Sequence, residues 1–384
     1  MLRVPKVLTV LAGAALVGCS VQEHPTLAIG SSAPGFSLPG IDGKVHTLGD
    51  YAGSPVLAVV FTCNHCPASE LYEGRLNGLY ERYRDKGVAV VAINPDSPKS
   101  VRLDEMGYTD TDDSLTGMKA RAAHRKLRYP YLFDGDAQTV AAQFGVTAMP
   151  QIFVFDRDRK LQYQGRIDDN QREDRVTARD AQDAIDALLA RQPVRVSTTR
   201  PVGCPVTWLS NASAAEAERA KIHAEPVTLE PIGADALKKL RGNGTNKLML
   251  VNFWATWCAP CIGEFPELQT IYRMYRGRGL EFVTVSANTP EQKTAVLTFL
   301  REYHASSVNR QFATEDTDAL QAAFDPLTPA ALPFTLLLAP NGEVLHQQLG
   351  EADIPALRRA ILANLPDDPR YPGMRAYWGS ASER

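Results

Sequence analysis

Cysteine is scarce in this chain, six in 384 residues. That is too few for a disulfide-stapled scaffold, so the position of each one carries the information. Charge of one sign is missing as well. Lys and Arg number 41 against 44 Asp and Glu, a net charge of −3, which leaves no electrostatic ground for a nucleic-acid partner. No GxGxxG turn follows a strand pattern, so neither a nicotinamide nor any other cofactor is expected. Disorder is excluded by 44% hydrophobic against 22% charged residues. At roughly 150 residues per domain, the length points to two or three globular units.

The N-terminus, MLRVPK followed by VLTVLAGAALVGC, has the basic start and short apolar run of a signal peptide, too short to span a bilayer comfortably. The run ends in Leu16-Val17-Gly18-Cys19, which resembles the lipobox of bacterial lipoproteins. The resemblance implies removal of residues 1–18, acylation of Cys19 as the mature N-terminus, and a tether over 19–27. An ordinary secretory peptide with an incidental Cys19 is the alternative; both place the body outside the cytoplasm. Diacyl and amide-linked chains together supply the two lipid signals that stable anchoring needs. The expected location is the periplasmic side of the cell envelope, anchored to a lipid bilayer through Cys19.

The other cysteines expose an internal repeat. Cys63 and Cys66 form a CxxC, and Cys258 and Cys261 repeat it 195 residues later. Each pair follows a continuous apolar run, 55–62 (PVLAVVFT) and 248–253 (LMLVNF), which reads as a strand buried on both faces. A helical pattern follows each, 67–86 and 260–276, and then a second buried strand, 88–94 and 280–287, which together make a βαβ unit. Further on, Met149-Pro150 and Leu332-Pro333 each precede a β-hairpin pattern, and amphipathic helices near 178–191 and 354–365 close the halves. Residues 193–225 read as a linker containing Cys204, and 366–384, rich in Pro, Gly and Ser, as a loosely packed extension. The acidic stretches 104–113 and 167–170 read as solvated loops without calcium-motif spacing.

CxxC at a strand-to-helix turn, followed by X-Pro, hairpin and final helix, resembles the thioredoxin fold, present twice: an α/β chain with two central mixed sheets flanked by helices, over 28–192 and 226–365. The second half, Phe253-Trp254-Ala255-Thr256-Trp257-Cys258-Ala259-Pro260-Cys261 with Glu264 and Pro266, is similar to the TlpA/ResA-type thioredoxins. The first half is similar to the peroxiredoxin-like (AhpC/TSA, redoxin) group through Phe61-Thr62-Cys63-Asn64-His65-Cys66-Pro67, Met118–Arg121, Tyr129–Leu132 and Gly165–Asp169. The resemblance implies cis peptide bonds at Pro150 and Pro333, where the preceding backbone docks substrate, and proton management at the thiols by Glu264. The Gly203-Cys204-x-x-x-Trp208 segment also resembles that peroxiredoxin-like group.

The spacing suits dithiol chemistry. Residues three apart at a helix start face the same side, so two thiols can close a small ring. The first thiol, Cys63 or Cys258, sits where helix N-terminal N–H groups favour an anion. It is read as the nucleophile, with Cys66 or Cys261 resolving the mixed disulfide. His65, if cationic, would stabilise thiolate and make the first module the more oxidising, whereas Pro260 adds no charge. At the place corresponding to Glu264 the first module has Ser69, with Glu70 adjacent. Cys204 stays open between a third thiol resolving Cys63 or Cys66, an intermolecular link and an inert buried cysteine. A zinc site would need more ligands than His65 supplies in sequence, so no resident metal is expected. Trp254 and Trp257 are read as packing residues that also shape a docking surface.

The leading reading is a membrane-anchored, extracytoplasmic thiol-disulfide oxidoreductase. Its partners would be disulfide-bearing envelope proteins and a membrane dithiol electron donor. One alternative is a thiol peroxidase in the first module, although neither Cys63 nor Cys66 has the Thr three residues before it. The other is a Cu(I)-handling module using the thiolates and His65.

Overall fold

The computed structural model describes residues 24–325 and 331–381. The expected signal peptide and Cys19 lie outside the described residues. A short hairpin, β1 (Ser37–Pro39) and β2 (Val45–Thr47), opens the first module. Then come β3 (Val56–Phe61), α1 (Pro67–Tyr83), β4 (Val88–Asn94), α2 (Leu115–Arg125), β5 (Tyr131–Phe133), α3 (Thr139–Phe144), β6 (Gln151–Phe155), β7 (Leu161–Gly165) and α4 (Asp180–Leu189). After α5 (Ala212–His223), the second module runs β8 (Glu230–Ile232), α6 (Ala234–Arg241), β9 (Leu248–Trp254), α7 (Ala259–Tyr275), β10 (Leu280–Ser286), α8 (Lys293–Glu302), β11 (Val308–Phe312), α9 (Thr317–Phe324), β12 (Phe334–Leu338), β13 (Val344–Leu349) and α10 (Ile354–Asn364). The tail carries α11 (Met374–Ala381).

The first sheet has the order β5-β4-β3-β6-β7, parallel among β3, β4 and β5 and antiparallel at β6 and β7. The second is ordered β13-β12-β9-β10-β11-β8, with β9, β10, β11 and β8 parallel and the hairpin β12–β13 antiparallel. Both are the mixed sheets of thioredoxin folds. The apolar runs are continuous because both faces are covered. In β3, Val56, Ala58 and Val60 enter one core and Leu57, Val59 and Phe61 the other. In β9, Leu248 and Leu250 separate in the same way from Met249, Val251 and Phe253. Each central strand delivers its chain straight into a 17-residue helix with Pro in the first turn and a cysteine, Cys66 or Cys258, at the N-cap. Proline there costs no hydrogen bond, since those N–H groups have no helical partner. The helices end in short 3₁₀ turns closed by Gly87 (φ 80°) and Gly279 (φ 100°), left-handed positions that suit glycine and turn the chain back into β4 and β10.

Two segments differ from their sequence reading. The linker is not a free tether: Gln164 N–H donates to Ser197 C=O (3.0 Å) and Thr199 N–H to Gln164 C=O (3.1 Å), so it first runs along β7. The tail is not loosely packed either. Met374 and Trp378 are buried with Leu268, Ile271 and Leu362 of the second module, and the Trp378 indole N–H donates to Tyr108 C=O of the first (3.2 Å). Next to it the buried Arg121 guanidinium meets Glu70 (2.9 Å), Glu73 (2.8 Å), Asp110 (2.8 Å) and the Tyr377 hydroxyl (2.8 Å). The packed tail leaves no sequence pattern because aromatic side chains in a Gly- and Pro-rich stretch carry no period.

Trp378→Ala is therefore expected to destabilise the chain by about 3–5 kcal/mol, the usual cost of truncating a buried aromatic residue. Chemical denaturation measures it; an unchanged midpoint would return the tail to a loose extension.

Candidate functional site

In the first module the structure corrects the disulfide assignment. Cys63 and Cys66 are not joined. Cys66 pairs with Cys204, 138 residues away, with Cα atoms 6.0 Å apart, and Cys63 is free. The cause is local. As N-cap of α1, Cys66 faces Met149, whose carbonyl lies 3.6 Å from its sulfur. The linker backbone pairs with that same Met149, which brings Cys204 alongside. Cys63 points elsewhere, into a pocket with Ser69 Oγ at 3.9 Å. Of the three options left open for Cys204, partnership with Cys66 is the one observed.

Around Cys63 lies a buried polar cluster that includes Asp113, from the acidic stretch read as a solvated loop. Cys63, His65, Asp96 and Asp113 offer donor atoms all within 4.8 Å of one another. His65 Nδ1 meets Asp113 Oδ2 at 2.5 Å and Asp96 Oδ2 at 3.5 Å. Asp113 also accepts from Asn64 N–H (2.7 Å) and Asn94 Nδ2 (3.0 Å), which pins the CNHC turn to the end of β4. Burial opposes charge on His65, but Asp113 and Cys63 outweigh it and hold the imidazole well above its ordinary pKa. The reverse holds for Cys63: burial first, then Asp96, push its thiol far up, with His65 pulling back only in part. His65 is thus engaged by two carboxylates, and burial and Asp96 oppose the thiolate that a cationic imidazole was expected to favour. Cys63 itself is 2% exposed. Two carboxylates are also poor ligands for Cu(I). Glu70, next to Ser69, turns to Arg121. Asp168 of the second acidic stretch is buried against Arg75 (2.8 Å).

The second module keeps its pair. Cys258 and Cys261 are disulfide-bonded across the first turn of α7, Cα atoms 5.3 Å apart. Cys261 is sealed and Cys258 reaches the surface at 7% exposure beside Trp257, which is 64% exposed, while Trp254 is core. Asn288, just beyond β10, receives Thr256 N–H (3.0 Å) and donates to Thr256 Oγ1 (2.8 Å), which fixes the turn ahead of the cysteines. Glu264 lies buried one turn past Cys261, accepting from Asn252 Nδ2 (3.0 Å) and Ala352 N–H (2.7 Å). Burial raises its pKa despite both bonds. The Met149–Pro150 and Leu332–Pro333 bonds are cis, each placed beside its module's cysteine turn.

Asp96, Asp113, Asn94, Gln138 and Asn288 escaped the sequence reading. The signal lay in Asn94-Pro95-Asp96 and Asn288, polar residues at the carboxyl ends of parallel strands, where the crevices of open α/β sheets form. Peptide mass spectrometry of the oxidised chain under non-reducing conditions is expected to recover a 66–204 crosslink and an unmodified Cys63 that resists alkylation until the protein is unfolded. A 63–66 crosslink would overturn the assignment.

The chain is 37% identical over 114 residues to the thiol-disulfide oxidoreductase ResA of Bacillus subtilis (strain 168), covering 30% of this chain and 57% of that protein. Crystal structures of a hypothetical protein from Sinorhizobium meliloti 1021 (31% identity, TM-score 0.44, 48% of this chain and 97% of that one) and of an uncharacterized conserved protein from Geobacillus kaustophilus (33%, 0.43, 47% and 92%) are similar. The AhpC/TSA family matches residues 29–164 and again 230–347. With both halves matched, the chain belongs to the AhpC/TSA family.

Proposed function

We propose that this protein is a thiol-disulfide oxidoreductase held to a membrane through lipid on Cys19, on the periplasmic side of the cell envelope. Its second module would exchange disulfides with envelope proteins. The observation that carries this reading is the Cys258–Cys261 disulfide at the N-terminus of α7, with one sulfur reachable and the other sealed above a buried carboxyl group. In the reduced state Cys258, favoured as thiolate by the free N–H groups of the helix, attacks one sulfur of a client disulfide and expels the other as a thiolate. Cys261 then attacks Cys258 in the mixed disulfide, releasing the reduced client and closing the ring. Two electrons pass to the client, and a membrane dithiol restores Cys258 and Cys261.

Cys261 must lose its proton for the second step, and Glu264 is the nearest buried base along the helix. Because burial raises its pKa above the ordinary carboxylate value, Glu264 is protonated at acid pH and becomes a proton acceptor as pH rises through that raised value. Exchange should accelerate over the same window.

Cys258→Ser and Cys261→Ser are each expected to abolish reduction of insulin disulfides by the dithiothreitol-primed chain, and Cys63→Ser to leave it intact. Loss with Cys63→Ser alone would move the activity to the first module. In stopped-flow measurements from pH 4 to 8, Glu264→Gln should slow exchange by about tenfold or more, in the range of general-base effects. It should also remove the inflection above the ordinary carboxylate range; a parallel profile would leave Glu264 a packing residue.

A further inference from the structure

The linker meets the first module through its backbone. Met149 N–H donates to Cys204 C=O (2.8 Å) and Met149 C=O accepts from Cys204 N–H (3.1 Å), an antiparallel rung beside Pro150. Three residues on, Thr207 N–H donates to Asp96 Oδ1 (2.6 Å), and Thr207 C=O accepts from Ser97 N–H (3.3 Å) and Gln138 Nε2 (3.0 Å). Leu209 N–H then donates to Gln138 Oε1 (2.6 Å). Groups that read the backbone of an extended segment are the elements of strand-addition peptide recognition. Gly203 adds a side-chain rule: a Cβ there would fall on the Met149 carbonyl, far inside van der Waals contact. In the second module, among the described residues, Leu332 makes no such backbone pairing, so one module's edge is filled and its counterpart's is not.

We propose that Met149, Asp96, Ser97 and Gln138 form a peptide-binding site on the first module. Residues 203–209 fill it in the oxidised chain, and it becomes exchangeable when Cys66–Cys204 is reduced. Its ligand is an extended, disulfide-bearing peptide with glycine immediately before the cysteine. The site extends the thiol-disulfide reading to a second client position. Its gate is chemical. Cys66 is fully buried, whereas Cys204 is half-buried and borders a cleft of about 340 Å³ with His65, Tyr108 and Tyr371. A thiolate of a reducing dithiol attacks Cys204 Sγ, and Cys66 leaves as a thiolate at the N-terminus of α1. The donor's second thiol resolves the mixed disulfide, so the donor is oxidised and Cys66 and Cys204 are reduced. Cys66 then attacks the sulfur of a peptide disulfide, forming a Cys66–peptide bond and expelling the peptide's former partner thiolate. The tethered segment competes with any free peptide because its effective concentration is high, which confines access to ligands that satisfy the same backbone and glycine rules.

The test uses the reduced full chain carrying Gly203→Ala and Cys204→Ser, which remove the fit and the covalent hold of the segment, together with Cys261→Ser, which keeps a Cys258 adduct from being resolved. The probe is a synthetic peptide, PVGCPVTW, with its cysteine as a mixed disulfide with thionitrobenzoate, compared with PVACPVTW. Time-resolved mass spectrometry reads the adducts at Cys66 and Cys258 in one tube. The expected result is a Cys66 adduct forming at least about tenfold faster from the glycine peptide, a difference of 1.4 kcal/mol or more, with no such preference at Cys258. Equal rates at Cys66 would overturn the site. The wild-type chain should give no Cys66 adduct before reduction and a glycine-selective one afterwards; an adduct before reduction would overturn the gate. Failure of Cys258 to react would count against the proposed function while leaving the Cys66 comparison readable.

Discussion

Everything distinctive about the first module hangs on the buried pairing of His65 with Asp113. A desolvated cation and carboxylate are favourable only when their remaining hydrogen-bonding capacity is also met, and Asp113 meets it by accepting from Asn64 and Asn94. Those bonds tie the cysteine turn, the end of β4 and the entrance to α2 into one unit. The same loop then supplies Asp110 to Arg121 and sends Thr109 C=O to the Tyr275 hydroxyl of the second module (2.6 Å). One acidic loop therefore sets the cysteine geometry and the packing between modules together, so a change at either place should be felt at the other.

The two modules use one scaffold in opposite senses. In the second, the exposed Trp257 stands beside Cys258 at the helix N-terminus while Cys261 is sealed beneath, and the polar support is neutral: Asn288 holds the turn and Asn252 holds Glu264. In the first, charged support surrounds a sealed Cys63, and the chain's own linker covers Cys66. Placing the second thiol partner on a backbone-paired segment converts a dithiol turn into a covalent latch. The CxxC spacing is retained while its chemistry is divided between two sulfurs with different surroundings.

The fold was legible because its signal is local. Buried strands, proline-led helices and X-Pro hairpins each leave a pattern in consecutive residues, and the observed bounds fall within two or three residues of that pattern. The second cysteine site was legible for the same reason, since Cys258, Cys261 and Glu264 sit on one helix. The first was not. Asp96 and Asp113 reach His65 from 31 and 48 residues away in sequence, and acidic residues in a loop carry no mark that separates solvated from buried. Cys204 was visible as a cysteine beside a glycine, but its partner depends on a backbone rung to Met149 that composition cannot encode. Trp378 and Tyr377 failed in the same way, their partners coming from parts of both modules far away in sequence.

Topology also separates what the long-range disulfide does for stability from what a short one would do. A ring closed between Cys63 and Cys66 constrains the unfolded chain very little, whereas closing a loop of 138 residues removes unfolded-state entropy worth roughly 5 kcal/mol on the chain-entropy estimate. Covalent stabilisation and occupation of the Met149 edge therefore act in the same direction. Reduction would withdraw the entropic part and leave the backbone hydrogen bonds from Cys204 to Leu209, individually about 1 kcal/mol each. A segment held by a few such bonds is near the balance point between bound and free, which is where a competing peptide of matching shape can displace it. The second module has no comparable internal competitor among the described residues, so its client position depends only on the redox state of its own pair.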